Sequence, residues 1–480
     1  MTENFEYKGE WFLPSDRVNR ISGTLYYDVD KGISLELFDD FAGAPIIPIS
    51  SNQEYDIILG LTSDSKEITL YKTFISSRSG IHLVQNQEAG TPSSKYIVNY
   101  VFEGVHFDKV EDIKFDRLVS EIIDLDEWVG ISGFANNFDF EKEKEMRKKK
   151  ECQVNYKLPN LITFPLTDNL EGQFNFIMNS SNRPIYLKKV TLEQKVQFIL
   201  KYQSEKPLEN LLNDLFKFQS FLVLALYEKT YPKSIFLYNE NLKKDYGIAG
   251  IENRQVKFYF HISDRSIKYD KQKHFRDMLF CYGHIQDKFL EIIKNWFKQY
   301  DKLETSFNLL IEHFYNDKRF SENTFLNLAQ AAESFHAHTK RNQIKMPKEE
   351  YDTMKKDILS VVDKKYHFWL KEQFNFGNHL NLHKRLEEIV EFCSCDVLNK
   401  IIDDKDTFIK QVKNSRNYYT HYSTSLKKKA LIGSELFYLA QKLKIVLVCA
   451  FLLETGFEKD TLNQMLDDKK HRFFHFLANW

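Results

Sequence analysis

Near residue 280 the hydrophobic period of this chain changes from two to 3.6 and stays there. Up to about residue 280, short runs alternate polar and apolar residues; beyond it, apolar residues recur at helical spacing to the C-terminal end. One pattern cannot serve both a pleated strand and a helix, because side chains alternate faces in the first and wind around an axis in the second. The change therefore divides an α+β multidomain chain into a β-rich part and an all-α part. Residues 1–140 are expected to form an N-terminal β-rich domain, 141–284 a second β-rich segment with an apolar helix, and 285–480 an all-α domain.

In the β-rich part, Ile21–Tyr27 and Ile33–Leu37 alternate, and Asp28–Gly32 between them has hairpin-turn chemistry. Further strands are expected at Tyr55–Leu61, Ile68–Phe74, Lys95–Phe102, Leu161–Phe164, Gly172–Met178, Pro184–Val190, Ser234–Tyr238 and Val256–Ile262. A short helix should contain Trp128. These elements suit a sandwich-like or barrel-like module. Leu208–Tyr227 is apolar at helical spacing, through Leu211, Leu215, Phe218, Phe221 and Leu222. The mixed-charge run Glu141–Glu151 reads as a solvated connection.

In the all-α part the spacing predicts helices at about 285–299, 303–315, 322–340, 348–371, 379–399, 405–422 and 426–455, then a short one. Ser321 is placed to cap the third and Ser425 the seventh, with Gly456 ending the seventh. The longest apolar run, Ile445–Leu453, is far shorter than the roughly 18 residues of a membrane span. Met1–Lys8 is polar and acidic, without a signal-peptide core. Five cysteines offer no disulfide framework, so a cytoplasmic protein without membrane association is expected.

Net charge is −1, which excludes a chain-wide nucleic-acid footprint. The charge is local instead. Across Ile401–Ala430, seven Lys and Arg face three acids, a net +4. Within this stretch lies Arg416-Asn417-Tyr418-Tyr419-Thr420-His421. A guanidinium grips phosphoryl oxygens with a planar, permanently charged fork, and an imidazole moves protons near neutrality. Chance alone supplies roughly one such Arg-to-His spacing in a chain of this composition. Arg254 and His261 are that accident, since they flank a strand-like segment whose side chains point to opposite faces. The Arg416 copy has the asparagine, the helix and the basic surroundings. Lys410, Lys413, Lys427 and Lys428 are candidate RNA contacts, and Tyr418, Tyr419 and Tyr422 can stack on unpaired bases.

These residues resemble the active motif of HEPN domains, an α-helical family whose active members carry Arg, four to six residues, then His. The resemblance extends to ApeA-type anti-phage proteins, in which a β-rich domain precedes the HEPN bundle. It rests also on Gly9-Glu10-Trp11-Phe12-Leu13-Pro14, Ser22-Gly23-Thr24-Leu25, Trp128-Val129-Gly130-Ile131-Ser132-Gly133, Lys217–Leu222, Asn295-Trp296-Phe297 and Gln330–His336. It implies a metal-independent endoribonuclease of bacterial defence acting on RNA, with tRNA the expected substrate, and with no cofactor and no metal. Arg416, Asn417 and His421 are then the catalytic residues.

Such cleavage needs a base and an acid on opposite sides of phosphorus, but the motif supplies one histidine. A homodimer through the HEPN domain is therefore expected, with two copies of the helix facing each other. Asn417 and His421 are i,i+4 neighbours, so Asn417 can orient the imidazole, while Glu333 on another helix can pair with Arg416 or orient His421. A phage-derived trigger acting on the N-terminal region fits the same resemblance. The alternative is a non-catalytic RNA- or protein-binding sensor whose bundle only dimerises. Cys393-Ser394-Cys395 has the wrong spacing for zinc and reads as two thiols on a buried helix, and His336/His338 and His379/His383 read as structural or surface groups.

Overall fold

Asp28 turns the hairpin that joins Asp16–Asp28 to Gly32–Leu37. Its carboxylate accepts from the backbone N–H groups of Asp30 and Lys31, and Gly32 closes the turn at φ +94°, where a side chain would be strained. The computed structural model describes residues 4–41, 54–79, 92–134, 144, 146, 148–150, 154–180, 190–245, 250–262, 273–316, 321–339 and 343–468. Most of Glu141–Glu151, and residues 184–189 of the strand expected at Pro184–Val190, lie outside them. Contacts cluster into two units, residues 1–222 with 230–274, and residues 223–229 with 275–480.

The first unit holds β1 (Phe5–Leu13), β2 (Asp16–Asp28), β3 (Gly32–Leu37), β4 (Glu54–Thr62), β5 (Glu67–Ser79), β6 (Ser93–Glu103) and β7 (Lys114–Ile122). There follow α1 (Leu125–Val129), β8 (Ile162–Thr167), β9 (Leu170–Ser180), β10 (Leu192–Pro207) and α2 (Leu208–Leu226), whose last turn belongs to the other unit. Last come β11 (Pro232–Tyr238), β12 (Lys243–Asp245), β13 (Ile251–Asn253) and β14 (Val256–Phe260).

Among the described residues, all the β-strands except the small β12–β13 hairpin join one antiparallel sheet ordered β3-β2-β1-β4-β5-β6-β14-β11-β7-β10-β9-β8. Its first six strands close into a barrel because β3 also pairs with the first half of β6, Ile33 opposite Val98 and Leu37 opposite Ser94. The second half of β6 pairs instead with β14, Phe258 opposite Phe102. One long strand thus closes a barrel and carries the sheet onward. Barrel closure leaves β3 no free edge, which settles the choice between sandwich and barrel. On the extension, α2 lays its apolar stripe over β10, Phe218 stacking on Phe198 at 3.8 Å, and the buried Trp128 packs edgewise on Phe218 and Phe221.

The second unit is helical: α3 (Tyr282–Ile285), α4 (Phe289–Tyr315), α5 (Glu322–His338), α6 (Lys348–Val361), α7 (His367–Gly377) and α8 (Leu382–Cys393). It continues with α9 (Asp396–Ile402), α10 (Lys405–His421), α11 (Thr424–Lys427), α12 (Ser434–Glu454) and α13 (Lys459–Asp468).

Four expectations need correction. The helices expected at 285–299 and 303–315 are one, because Trp296, Tyr300, Leu303 and Phe307 continue a single buried stripe across the supposed gap. The helix expected at 348–371 breaks at Val362, whose backbone is extended, and Asp363 caps the turn that follows. The one expected at 379–399 breaks at Ser394. Cys393 is buried at the end of α8, but Cys395 is only half-buried and extended before α9, so the two thiols do not share a buried helix. The seventh helix begins at Ser434, and Ser425 lies within the separate α11.

Ser321 does cap α5, accepting from the Thr324 N–H, and Gly456 ends α12 at φ +104°. The core is aromatic, Phe307 stacking on Phe451 at 4.0 Å with Phe335 edge-on to the same ring. Helix α12 is long and apolar enough to cross a membrane, but most of it is buried inside this unit.

Candidate active site

Helix α10 is set in place by its buried stripe of Phe408, Ile409, Val412, Ser415 and Tyr419. Asp404 caps its N-terminus, accepting from the Thr407 N–H. Opposite the stripe, Lys410 is exposed and Lys413 half-exposed. The helix ends where Tyr422 turns left-handed at φ +48° while its N–H still reaches the Tyr418 carbonyl.

Arg416 sits beside the stripe, half-buried, and is held from two sides. Its Nη2 lies 2.9 Å from Oε1 of Glu333 on α5, an ion pair off linear hydrogen-bond geometry. Its Nη1 donates to the Asn417 side-chain oxygen at 3.4 Å. A guanidinium has five N–H donors, so these contacts orient the fork and leave donors for an anion. The side chain keeps 31% of its exposure.

His421 is the last residue of α10 and is exposed, its imidazole making no hydrogen bond among the described residues. The bond that Asn417 makes is to Arg416 and not to the His421 ring, so the expected i,i+4 orientation of the imidazole is replaced by orientation of the guanidinium. On an ideal helix, residues five apart are separated by about 140° and about 7.5 Å along the axis. Within one chain the fork therefore leans towards α5 while the imidazole projects from the end of α10.

Tyr419 corrects another expectation. It retains 6% of its exposure, and its hydroxyl donates to the Leu431 carbonyl at 3.0 Å, so its ring offers no free face to a base. Ser415, buried one turn earlier, accepts from the Leu431 N–H at 3.0 Å. Together they clamp the backbone that follows the lysine-rich turn to α10. Lys427 and Lys428 stand exposed on that turn. Tyr418 is half-buried, and the exposed Tyr422 packs edgewise on both Tyr418 and Tyr419. Burial pushes the Tyr419 phenol upward, which keeps it a neutral donor.

Sequence reasoning missed the support behind Glu333. One turn further along α5, the fully buried His336 meets Glu388 of α8 at 2.8 Å. Arg385, also on α8, reaches the Glu333 carbonyl at 3.4 Å through Nη1 and the Leu380 carbonyl through Nε. Helices α5, α8 and α10 are tied by these pairs. The only sequence signal was His336 at the end of Gln330–His336, since nothing local links residues 52 apart. The accidental pair is satisfied elsewhere: Arg254 bonds Glu67, and His261 bonds the Val29 carbonyl.

Residues 6–296 match the family ApeA N-terminal domain 1, and residues 326–461 match Apea-like HEPN. No curated protein and no solved structure matches the chain. The helical match spans Glu333, Arg385, Arg416 and His421, and the β-rich match spans the barrel and its extension. The chain belongs to the ApeA family of HEPN-type anti-phage proteins, an ApeA N-terminal domain 1 followed by an Apea-like HEPN domain.

Proposed function

We propose that this protein is a metal-independent endoribonuclease, with tRNA the leading substrate class, and that its β-rich region holds the activity in check until a phage component releases it. The observation that carries the reading is a guanidinium oriented by Glu333 and Asn417, yet open to solvent, on the helix that ends in an exposed imidazole.

In this reading the ribose 2′-oxygen attacks the adjacent phosphorus and gives its proton to one imidazole. The phosphorus–5′-oxygen bond breaks, and the leaving oxygen takes a proton from the other imidazole, His421 of a second copy. Products are a 2′,3′-cyclic phosphate and a 5′-hydroxyl. Arg416 stabilises the charge-rich phosphorane, the kind of preorganised contact that typically contributes about 3–4 kcal/mol to a barrier. Lys410, Lys413, Lys427 and Lys428 lie along the RNA backbone, and Tyr418 and Tyr422 take unpaired bases.

The test is to incubate purified protein with total tRNA in EDTA, beside His421→Ala and Arg416→Ala. Cuts bearing cyclic phosphate ends, lost in both variants, support the reading. Equal cutting by parent and variants overturns it, and binding without cutting favours the non-catalytic alternative.

A further inference from the structure

Helices α6 and α7 form an arm inserted between α5 and α8, and they pack chiefly on one another. Its root is stapled. Asn378 exchanges two hydrogen bonds with the Met346 backbone, at 3.0 and 2.9 Å, and Lys345 reaches the Asn378 and Gly377 carbonyls, both at 2.8 Å. Beyond the root little apolar surface is covered. Tyr351 is the one buried side chain of α6, its hydroxyl donating to the Phe374 carbonyl. At the tip Val361 keeps 83% of its exposure, Tyr366 52%, Phe368 76% and Trp369 59%.

Two helices of 14 and 11 residues are marginal without apolar burial, and a cluster with three such aromatics in water marks an interaction surface. Charge says what covers it. Residues 348–352 carry three acids and one lysine, whereas 361–371 carry three lysines and one acid; Lys348–Gly377 as a whole has six of each. The arm as a whole is neutral, so it presents no extended basic face to a polyanion. An arm acidic at its root and basic at its tip is complementary to its own inverted copy, the condition a two-fold interface imposes.

We infer that the α6–α7 arm is a dimerisation element that pairs antiparallel with the arm of a second copy. Lys364 and Lys365 of each then lie beside Glu349 and Glu350 of the other, with Phe368 and Trp369 covered. This supplies the second copy that the proposed nuclease requires, but it is measured without RNA, so the two readings fail separately.

The experiment is sedimentation velocity of the full-length protein over a concentration series. The parent is expected to be a dimer at micromolar concentration, and the double variant Phe368→Ser/Trp369→Ser to dissociate at least tenfold more readily with unchanged circular dichroism. Lys364→Glu/Lys365→Glu should weaken the dimer, and adding Glu349→Lys/Glu350→Lys should restore it. His421→Ala should sediment like the parent even when cleavage is lost, which separates this test from that of the chemistry. A monomeric parent, unchanged association of the aromatic variant, or failure of the second charge swap to rescue the first overturns the assignment. So does an aromatic variant that sediments normally but loses binding to a single-stranded RNA oligonucleotide, which would make the tip an RNA platform.

Discussion

Arg416 of α10 and Glu333 of α5 form an ion pair at 2.9 Å between side chains that are each about 30% exposed. A half-exposed pair adds about 1 kcal/mol or less to stability, so its main consequence is positional. Glu333→Gln keeps the shape and removes the charge. In this variant the proposed cleavage of tRNA should fall about tenfold while the melting temperature shifts by a few degrees at most. Cleavage at the parental rate would remove Glu333 from the site.

Tyr419 separates packing from RNA contact. Tyr419→Phe deletes one hydrogen bond to Leu431 and should cost about 1 kcal/mol in urea unfolding. Tyr422→Ala removes an exposed ring and should leave stability nearly unchanged or slightly reduced, while weakening binding to single-stranded RNA. The reverse pattern would show that Tyr419, and not Tyr422, meets the RNA.

Lys427 and Lys428 are expected to act through the phosphate backbone. Lys427→Gln/Lys428→Gln should lower RNA affinity for every sequence and reduce the slope of log affinity against log salt by roughly one to two. An unchanged slope would place both lysines on a merely solvated turn.

His313 makes a pH prediction for the helical unit. Burial, with the Lys444 ammonium adding to it, holds its imidazole down to about 3. The unfolded chain therefore binds a proton near the ordinary histidine value of about 6.5 that the folded chain refuses. The stability this group contributes is complete above that value. It is lost as pH falls towards 3, at up to about 1.4 kcal/mol per unit. His313→Leu should flatten the acid side of the stability curve; an equally steep curve would mean other groups set it.

Periodicity located the passage from strands to helices near residue 280 and the apolar stripe of α2, and period with local charge located the basic helix bearing Arg416 and His421. These are local properties, since period and charge are set by residues within a few positions of each other. Local signals also explain the correct caps at Ser321 and Gly456. The breaks at Val362 and Ser394 escaped notice because neither has a Gly or Pro to mark it.

Closure of the barrel, by contrast, depends on β3 finding β6 some sixty residues away, and no alternating pattern encodes that partner. The same holds at the site. The motif named Arg416 and His421 through their chemistry and spacing, but packing chose which tyrosine faces water and which clamps Leu431. It also brought Asn417 to the guanidinium and set His336, Glu388 and Arg385 behind Glu333. Chemical capacity belongs to residue types and was legible in the chain; the direction a side chain points is fixed by which neighbouring helix it meets, and only the folded structure decides that.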